Sequence, residues 1–254
     1  MIQIEHLSKL YGSFQALEDV TLWVEPGEIF GFLGPNGAGK TTTIRIMAGL
    51  LRPTSGTVRI AGRDIRTEPE AAKALMGLVP DRPFLYEKLT GEEFLRFLGA
   101  IYGLRPALIQ ERMEQLLGLF ELEEWQGQLI ENYSHGMKQR LVVCGALLHR
   151  PRALVVDEPM VGLDPKGARL LKEVFRREAR QRGTSIFMST HTLEVAEQMC
   201  DRIAILQKGK VIAQGTAEEL RRMAGDVGGD LEAVFLRLTG GEDLGDLLGA
   251  LRGG

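Results

Sequence analysis

The amino-acid sequence predicts an α/β fold built on a mostly parallel sheet with flanking helices. In the second half of the chain, strand-like runs at 153–156, 184–189 and 203–206 alternate with helical patterns near 166–182 and 192–199. Strands that alternate with helices are typical of βα units, whose strands run parallel. The first half contributes a buried strand, a glycine-rich turn and a helix in that order, which fits the same architecture.

The first sixty residues contain the remaining strands that we expect in the N-terminal part. Short strand-like runs lie at 2–7, 20–24 and 57–60, and the last of them alternates apolar and polar residues, as a half-exposed strand does. The run Glu28–Leu33 is rich in large apolar side chains and is predicted to be a buried strand. A helical pattern, Lys40–Leu50, follows the glycine-rich turn.

Residues 84–150 are predicted to form a helical insertion, because the apolar residues change there to helical spacing. Pro106 suits the first turn of the second helix of this region. A third helix is predicted over Gly136–His149, ending before Pro151. The apolar positions that carry the first two helices are Phe94, Leu95, Leu98, Ile101, Leu108, Ile109, Met113, Leu116, Leu117 and Phe120.

We therefore expect one main domain, residues 1–222, in which a core formed by 1–83 and 151–222 carries the helical subdomain 84–150. Residues 223–254 are expected to be a short C-terminal tail. The last 30 residues hold nine glycines and six acids against two arginines. A marginal helix at 230–238 is the most that this composition favours.

Composition excludes several classes of protein. The 254 residues carry 31 basic and 34 acidic side chains, a net charge of −3, which gives no electrostatic basis for non-specific DNA binding. The longest nearly apolar run, Leu141–Leu148, is far shorter than the roughly 18–20 residues of a membrane span. Two cysteines form no disulfide framework, and no signal peptide is recognised, so a soluble protein of the reducing cytosol is expected.

A phosphate-binding loop is predicted at Gly34–Thr41, which reads Gly-Pro-Asn-Gly-Ala-Gly-Lys-Thr and matches G-x-x-x-x-G-K-[ST]. It lies between a buried strand and a helix, the context that this motif requires. Its glycines allow consecutive backbone N–H groups to face phosphate oxygens, and the helix N-terminus adds a favourable dipole. Lys40 is expected to reach the β- and γ-phosphates and Thr41 to ligate Mg²⁺.

A second acidic element ends the predicted strand at 153–156. Asp157 follows at the carboxyl end of that strand, where α/β sheets place their ligands, and suits Mg²⁺ held through its hydration shell. Glu158 is placed to orient and deprotonate an attacking water, since phosphoryl transfer depends on positioning and charge neutralisation. Together with the phosphate loop, these carboxylates predict a nucleoside triphosphatase.

At this point the chain resembles the nucleotide-binding subunits of ATP-binding cassette (ABC) transporters, over about residues 2–222. The segment Tyr133–Arg140 is similar to the signature motif of the family, and Gly162–Pro165 to the loop after the acidic strand. Ser189–His191 is similar to the histidine switch, and Tyr11 stands where the family stacks an aromatic ring on adenine. The resemblance implies a P-loop NTPase core with an antiparallel β subdomain and an inserted helical subdomain.

The resemblance also implies a mechanism and partners. Ser134 and Gly136 would contact the γ-phosphate of ATP held by a second copy, in a head-to-tail homodimer or a pair with a similar cassette. His191 would lie beside that phosphate and link it to Glu158. Separate transmembrane permease subunits would hold the chain at the inner face of the cell membrane, and they would contact the surface formed by residues 81–102.

The complete set of predicted site residues follows from both lines of reasoning. The catalytic residues are Glu158, His191 and Lys40. The residues expected to hold ATP are Tyr11, Gly34, Asn36, Gly37, Gly39, Lys40, Thr41, Thr42, Ser134 and Gly136. The residues expected to hold Mg²⁺ are Thr41, Asp157 and Asp81.

The chain departs from the pattern of the family at three positions. His135 and Met137 replace a glycine and a glutamine of the signature, and Asp81 stands where the family usually has glutamine. Asp81, the segment at 133–139 and the hydrophobic stretch at 231–236 are similar to a bacterial exporter-type branch, so export is the expected direction. The transported substrate is not readable, because its contacts belong to the permease.

Two alternatives stay open at this level. A soluble mechanical ATPase of the same superfamily, acting on ribosomes or DNA, would usually carry two cassettes or a long coiled coil, and neither is present in this sequence. A non-hydrolysing regulatory binder would not be expected to keep Lys40, Asp157, Glu158 and His191. A run of arginines on the helix near 166–182 is interpreted as a solvated face rather than a nucleic-acid contact.

Overall fold

The fold is described from a computed structural model, which covers residues 1–223, residue 225 and residues 231–239. Within these residues there are ten strands, nine α-helices and two short 3₁₀ helices, Glu123–Trp125 and Ile130–Asn132. The strands are β1 Ile2–Tyr11, β2 Phe14–Val24, β3 Ile29–Leu33, β4 Ser55–Ile60, β5 Arg63–Asp64, β6 Met76–Val79, β7 Ala153–Asp157, β8 Ser185–Thr190, β9 Arg202–Gln207 and β10 Lys210–Gly215. The helices are α1 Lys40–Met47, α2 Pro69–Ala74, α3 Gly91–Ile101, α4 Pro106–Leu119, α5 His135–Leu147, α6 Pro165–Arg182, α7 Leu193–Met199, α8 Ala217–Met223 and α9 Leu231–Thr239.

Two sheets form the framework, and they confirm the predicted α/β class. The six-stranded sheet has the order β10-β9-β3-β8-β7-β6, and all its neighbours are parallel except the β9–β10 hairpin. Every residue of β3, β7 and β8 is buried, as expected for parallel strands covered on both faces. The second sheet, β2-β1-β4-β5, is antiparallel, so the expected antiparallel β region is also present.

Three helices, α3, α4 and α5, lie between β6 and β7, and each begins at a signal that can be read in the sequence. Thr90 forms a capping box with Glu93 at the start of α3. Pro106 occupies the first turn of α4, as predicted. Ser134 caps α5, which runs His135–Leu147 rather than Gly136–His149. Whether this region behaves as a separate subdomain stays a prediction.

The C-terminal residues are described only as far as α9. Leu231 and Val234 are buried and pack with Ala196 and Leu220, so the marginal helix predicted at 230–238 is present within one residue. Residues 224, 226–230 and 240–254 of the predicted tail lie outside the described residues. Among residues 1–223 and 231–239, no helix combines the length and the hydropathy that a membrane span requires.

The sequence patterns missed five of these strands and α-helices, namely α2, α8, β5, β6 and β10. The most consequential is β6, only four residues long and therefore too short for a period to be read. Gly77 lies where β6 passes under α5: a β-carbon at this position would lie 2.4 Å from the carbonyl oxygen of Ala146. Because β6 pairs in parallel with β7, Val79 opposite Val156, it brings the following residues, including Asp81, to the end of β7.

Candidate nucleotide-binding and hydrolysis site

The phosphate loop connects β3 to α1, and its glycines are required by space as well as by conformation. Gly37 and Gly39 have φ values of 80° and 117°, which side-chain-bearing residues rarely adopt. A β-carbon at Gly34 would lie 2.5 Å from the carbonyl oxygen of Leu206, and one at Gly39 would lie 2.8 Å from that of Ala16. The loop is therefore wedged against β2 and the end of β9.

Lys40, the first residue of α1, folds back onto the loop. Its Nζ donates hydrogen bonds to the carbonyl oxygens of Gly34, at 2.6 Å, and Pro35, at 3.2 Å. Burial lowers the pKa of the Lys40 ammonium, while the negative charges of Glu158 and Asp157 act in the opposite direction. The cation is thus held within electrostatic reach of both carboxylates of the acidic strand.

A cavity of 270 Å³ lies beside the loop, and an aromatic wall forms one side of it. Tyr11 ends β1 and pairs with Phe14 at the start of β2, across a turn in which Gly12 has a φ of 58°. Both rings are well exposed, 45% for Tyr11 and 64% for Phe14. The lining residues are Tyr11, Phe14, Ala16, Pro35, Asn36, Gly37, Gly39, Lys40, Thr41 and Thr42.

The structure thus brings Tyr11 together with the predicted loop residues Asn36, Gly37, Gly39, Lys40, Thr41 and Thr42. Gly34 supports the loop without lining the cavity. Phe14 was missed from the sequence. Phe14 lies opposite Tyr11 across a short turn that contains Gly12. The sequence shows the turn, but only the strand register shows that the two rings are paired.

Asp157 ends β7 and is almost completely buried, with 4% of its surface exposed. Ser189, on the neighbouring β8, donates a short hydrogen bond to Asp157 Oδ1. Burial raises the pKa of the Asp157 carboxyl, the hydrogen bond from Ser189 opposes this, and the nearby charges of Asp81 and Glu158 raise it further, while Lys40 again opposes them. Asp81 therefore lies within electrostatic reach of Asp157.

Glu158 and His191 meet at the carboxyl edge of the parallel sheet. His191 Nδ1 lies 2.8 Å from Glu158 Oε1, and Thr190 Oγ1 donates to Glu158 Oε2 at 3.3 Å. The backbone of Glu158 has a φ of 47°, a left-handed conformation that is uncommon for glutamate. Its backbone N–H donates to the carbonyl oxygen of Ser189 at 3.1 Å, which fixes the turn that points the side chain towards His191.

The charges at this edge suit a divalent cation. The charges of Asp157 and Glu158 act on the ammonium of Lys40, and the charge of Asp81 acts on Asp157. In the described part of the chain, no group of three or more histidine, cysteine, aspartate or glutamate residues has the arrangement of a complete metal site. Mg²⁺ usually takes one or two protein ligands and completes its shell with water and phosphate oxygens, and Thr41 with Asp157 could supply the protein ligands.

Ser134 and Gly136 occupy a different place. Ser134 Oγ accepts a hydrogen bond from the backbone N–H of Met137 at 3.3 Å, so the predicted N-cap is confirmed. Space around Gly136 is open except for Leu163, which would lie 3.6 Å from a β-carbon added at this glycine. Neither residue lines the cavity beside the loop. Within one chain, therefore, the structure does not bring the signature motif to the phosphate loop.

Comparisons with known proteins identify the family. The ABC transporter family matches residues 17–161. The Nod factor export ATP-binding protein I of Cupriavidus metallidurans is 37% identical over 92% of this chain and 77% of its own length. A solved structure described as the ATP-binding subunit of an ABC transporter is 37% identical, with a TM-score of 0.89 over 94% of this chain and 99% of that one.

A further solved structure shows a related cassette after reaction. It is a dimeric, post-hydrolysis state of the ATP-binding cassette MJ0796 bound to ADP and Pi, 25% identical, with a TM-score of 0.77 over 85% of this chain and 98% of that one. The phosphate loop, the acidic strand end and the histidine contact described above lie on the same fold. The chain therefore belongs to the ABC transporter family, as an ATP-binding subunit that hydrolyses ATP.

Proposed function

We propose that this chain hydrolyses ATP with Glu158 as the general base, in a head-to-tail dimer that drives export through separate membrane subunits. The observation that carries the proposal is the contact of 2.8 Å between Glu158 Oε1 and His191 Nδ1, at the sheet edge that also holds Asp157 and Lys40. A carboxylate fixed in this way beside a phosphate loop can accept a proton from water aligned with the terminal phosphate.

Nucleotide binding is assigned to the cavity beside the loop. The backbone N–H groups of the loop and the N-terminus of α1 would hold the phosphates, as helix N-termini hold anions. Lys40 would exchange its two carbonyl acceptors for oxygens of the β- and γ-phosphates. Tyr11 would stack on the adenine, with Phe14 closing the same side, because an exposed ring offers a sequence-tolerant platform for a purine.

The residues that would hold Mg²⁺ are Thr41, Asp157 and, through a water, Asp81. When bound, the ion supplies charge neutralisation to the β- and γ-phosphate oxygens. Burial alone disfavours the ionised form of Asp157, so the protein holds a carboxylate that gains from a nearby cation. Ser189 fixes the orientation of that carboxylate by its hydrogen bond.

Glu158 and His191 divide the remaining work. Glu158 accepts the proton of the attacking water, and His191 holds Glu158 in position through Nδ1. The second ring nitrogen of His191, Nε2, would contact an oxygen of the γ-phosphate, so that the ring links the phosphate to Glu158.

The proposal of a dimer rests on the place of the signature motif. Ser134 and Gly136 begin a 13-residue helix, α5, whose N-terminus is suited to an anion, yet they do not line the cavity of their own chain. In a head-to-tail pair, each α5 would face the nucleotide of the other chain. The dimeric form of the related MJ0796 cassette supports this arrangement.

Complementation between two defective chains tests the dimer. Ser134→Asp keeps an oxygen that can cap α5 but places a negative charge against the γ-phosphate, whereas Ser134→Thr is the matched cap without that charge. Lys40→Ala disables the other half of the site. The two inactive chains should regain ATP hydrolysis when mixed in equal amounts, to roughly a quarter of the wild-type activity, because about half of the dimers are mixed and each mixed dimer has one intact site of two.

Absence of any recovery on mixing, with Ser134→Thr active and both inactive chains folded by circular dichroism, would contradict the head-to-tail site. Full activity of Ser134→Asp alone would contradict the role of Ser134. ATP turnover by isolated wild-type monomers at high dilution would contradict the head-to-tail site.

The surface for the membrane subunits is assigned to an apolar depression of 270 Å³ next to α3. Phe84 is 83% exposed there, and Tyr86, Phe97 and Ile101 are also exposed, which is unusual for a cluster of large apolar side chains. A helix of the permease with apolar residues at spacings of three and four would fit it. The chain would then lie at the inner face of the membrane, and the name of the Nod factor export relative supports the direction.

Double substitution of Phe84 and Ile101 by serine should prevent co-purification with the membrane subunits that this chain drives. Binding of ATP should be unchanged, since neither residue lines the nucleotide cavity. A matched control is Trp125→Ser, which removes an exposed aromatic ring elsewhere. Retention of the permease by the double variant would refute this surface.

A further inference from the structure

A strongly basic cleft lies between α4 and α6, and the nucleotide site makes no use of it. Two adjoining cavities of 480 and 730 Å³ share Arg150, Glu178 and Arg182 in their walls. We call this region the basic cleft. The charged side chains that line it are Arg112, Glu114, Arg150, Arg152, Arg177, Glu178 and Arg182. The sequence alone suggested only a solvated basic face for the arginines of α6.

The basic cleft is at the opposite end of the parallel sheet from the hydrolysis site. Arg152 directly precedes β7, whose other end carries Asp157, and Thr184 directly precedes β8, which is followed by His191. A strand of five residues spans roughly 16 Å. A ligand in the cleft would therefore not touch the nucleotide.

Positive charge in the cleft exceeds the negative charge available to it. Glu178 is buried and is paired with Arg182, whose Nη1 lies 2.9 Å from Glu178 Oε1. The guanidinium groups of Arg150 and Arg152 have no hydrogen bond or ion pair with any residue that the structure describes. The other acid on the wall, Glu114, is exposed and interacts with a neighbouring glutamine on α4.

Arg112 shows that the excess of positive charge in the basic cleft leaves a hydrogen-bond donor without an acceptor. Its Nη1 donates to the carbonyl oxygen of Leu148 at 2.9 Å, but its Nε is buried and has no hydrogen-bond acceptor among the described residues. Burial lowers the pKa of the Arg112 guanidinium, and the charge of Arg150 and then that of Arg182 add to this, while Glu111 opposes it. A buried N–H donor without an acceptor is costly, and an anion would provide one.

We propose that the basic cleft binds a small anion that carries two or more phosphate or carboxylate groups. Cavities of this volume are in the range of small-molecule sites. Guanidinium groups recognise such oxygens in pairs, through two parallel N–H bonds, better than ammonium groups do. Because Arg112 belongs to α4 while Arg177 and Arg182 belong to α6, the bound anion would also link these two helices.

Titration calorimetry with tripolyphosphate and with citrate tests the proposal. The wild-type chain is first saturated with ADP, and the titration is repeated with Lys40→Ala, so that the phosphate loop does not contribute. We expect saturable binding of one anion per chain at physiological salt, weakened about tenfold by Arg150→Gln, the loss expected for one charge-assisted contact. The tripolyphosphate and citrate arms distinguish a phosphate ligand from a carboxylate ligand.

Arg66→Gln is the matched control, because Arg66 is exposed, lies outside both cavities and carries the same charge. It should change the affinity less than twofold. Equal weakening by Arg66→Gln and Arg150→Gln would show attraction by net charge only and would overturn the proposal. The absence of saturable binding of either anion would also overturn it. So would binding that is lost with ADP or in Lys40→Ala but is unchanged in Arg150→Gln, because the anion would then occupy the phosphate loop. These outcomes do not depend on ATP turnover.

Discussion

The two ends of the parallel sheet carry opposite charge, although the same strands position the residues at both ends. At the carboxyl end, Asp157 and Glu158 face the ammonium of Lys40. At the amino end, arginines gather around one buried acid, and His149 stacks on Tyr102 with ring centroids 3.7 Å apart. Each end also holds a residue with a side chain in the left-handed region, Glu158 with a φ of 47° and Arg150 with a φ of 55°.

The difference in charge pairing between the two ends shows which end can bind phosphate and a metal ion. At the carboxyl end, opposite charges lie within reach of each other without being fully paired, so phosphates, metal and water can enter the network. At the amino end, burial lowers the pKa of His149 to about 4, so the ring stays neutral at physiological pH. Strained backbone at both ends is consistent with sites whose geometry is imposed by the surrounding structure.

Substitution at the carboxyl end should have the largest effect. Glu158→Gln keeps an oxygen that can accept from His191 Nδ1 but removes the base, so ATP turnover should fall by about 10²- to 10⁴-fold. ATP affinity should change little, and an ATP-bound dimer should accumulate. Phosphate release and gel filtration with ATP measure the two effects.

Glu173→Gln provides the comparison for Glu158→Gln, because Glu173 is an exposed acid on α6 outside the hydrolysis site. Its turnover should stay within about twofold of the wild type, as is usual for surface substitutions. Hydrolysis at a near-normal rate by Glu158→Gln would remove Glu158 from the role of base.

Lys40→Ala should weaken nucleotide binding about 10- to 100-fold, the loss expected when charge-assisted hydrogen bonds to phosphate are removed. The affinity for a fluorescent ATP analogue measures this. Lys88→Ala, which removes an exposed lysine paired with Glu131, should leave the affinity unchanged. Equal affinities of Lys40→Ala and the wild type would contradict the assignment of the phosphate loop.

The carboxyl end was predictable from the sequence to a much greater extent than the amino end. The phosphate loop and the pair Asp157–Glu158 are each contiguous, so local patterns predicted their positions next to strand ends. Asp81 was recognised only by resemblance, because its closeness to Asp157 depends on β6, a strand too short to read. Phe14 required the register of the β1–β2 hairpin.

The basic cleft could not have been predicted from spacing. Arg112, Arg150 and Arg182 are 38 and 32 residues apart along the chain, and only the packing of α4, α6 and the start of β7 brings them together. Each of them, read alone, is an ordinary arginine near a helix or strand end. Similarly, nothing in the local sequence places His149 against Tyr102 rather than in solvent.

His149 should make the amino end sensitive to acid. The folded-state pKa of about 4 is below the ordinary value of about 6.5, so folding favours the neutral ring. The contribution of the neutral His149 ring to the free energy of unfolding is complete above pH 6.5 and is lost as the pH falls towards 4. Between pH 7.5 and pH 5, the wild type should lose about 1 to 2 kcal/mol more unfolding free energy than His149→Phe, which keeps the stacked ring.

Urea unfolding at the two pH values measures this difference. Trp23→Phe is the control, because Trp23 is an exposed aromatic residue without a titratable group and its substitution should not change the pH dependence of stability. An identical pH dependence for the wild type and His149→Phe would mean that the buried ring of His149 does not resist protonation.

Asp157→Asn should produce the smallest and most discriminating effect, a gain of about 1 kcal/mol in unfolding free energy without nucleotide and metal. Asparagine still accepts the hydrogen bond from Ser189 but carries no buried charge. Because folding raises the pKa of Asp157, the penalty is complete where the folded protein holds the ionised carboxylate. It shrinks as the pH falls through the folded-state pKa and is gone below the unfolded-state pKa. The advantage of Asp157→Asn should therefore be greatest near pH 8 and should shrink in acid.

Thermal unfolding with EDTA at pH 8 and pH 5 measures that gain, and adding Mg²⁺ with a non-hydrolysable ATP analogue should reverse the order of stability, since a divalent cation binds the ionised carboxylate. Lower stability of Asp157→Asn at pH 8 in EDTA would show that Lys40 and Ser189 already compensate the buried charge. The charges at the carboxyl end would then be compensated before any ligand binds, and the carboxyl end and the basic cleft would differ only in the sign of their charge. A gain would mean that each end of the sheet holds charge which its ligand, and not the fold, neutralises.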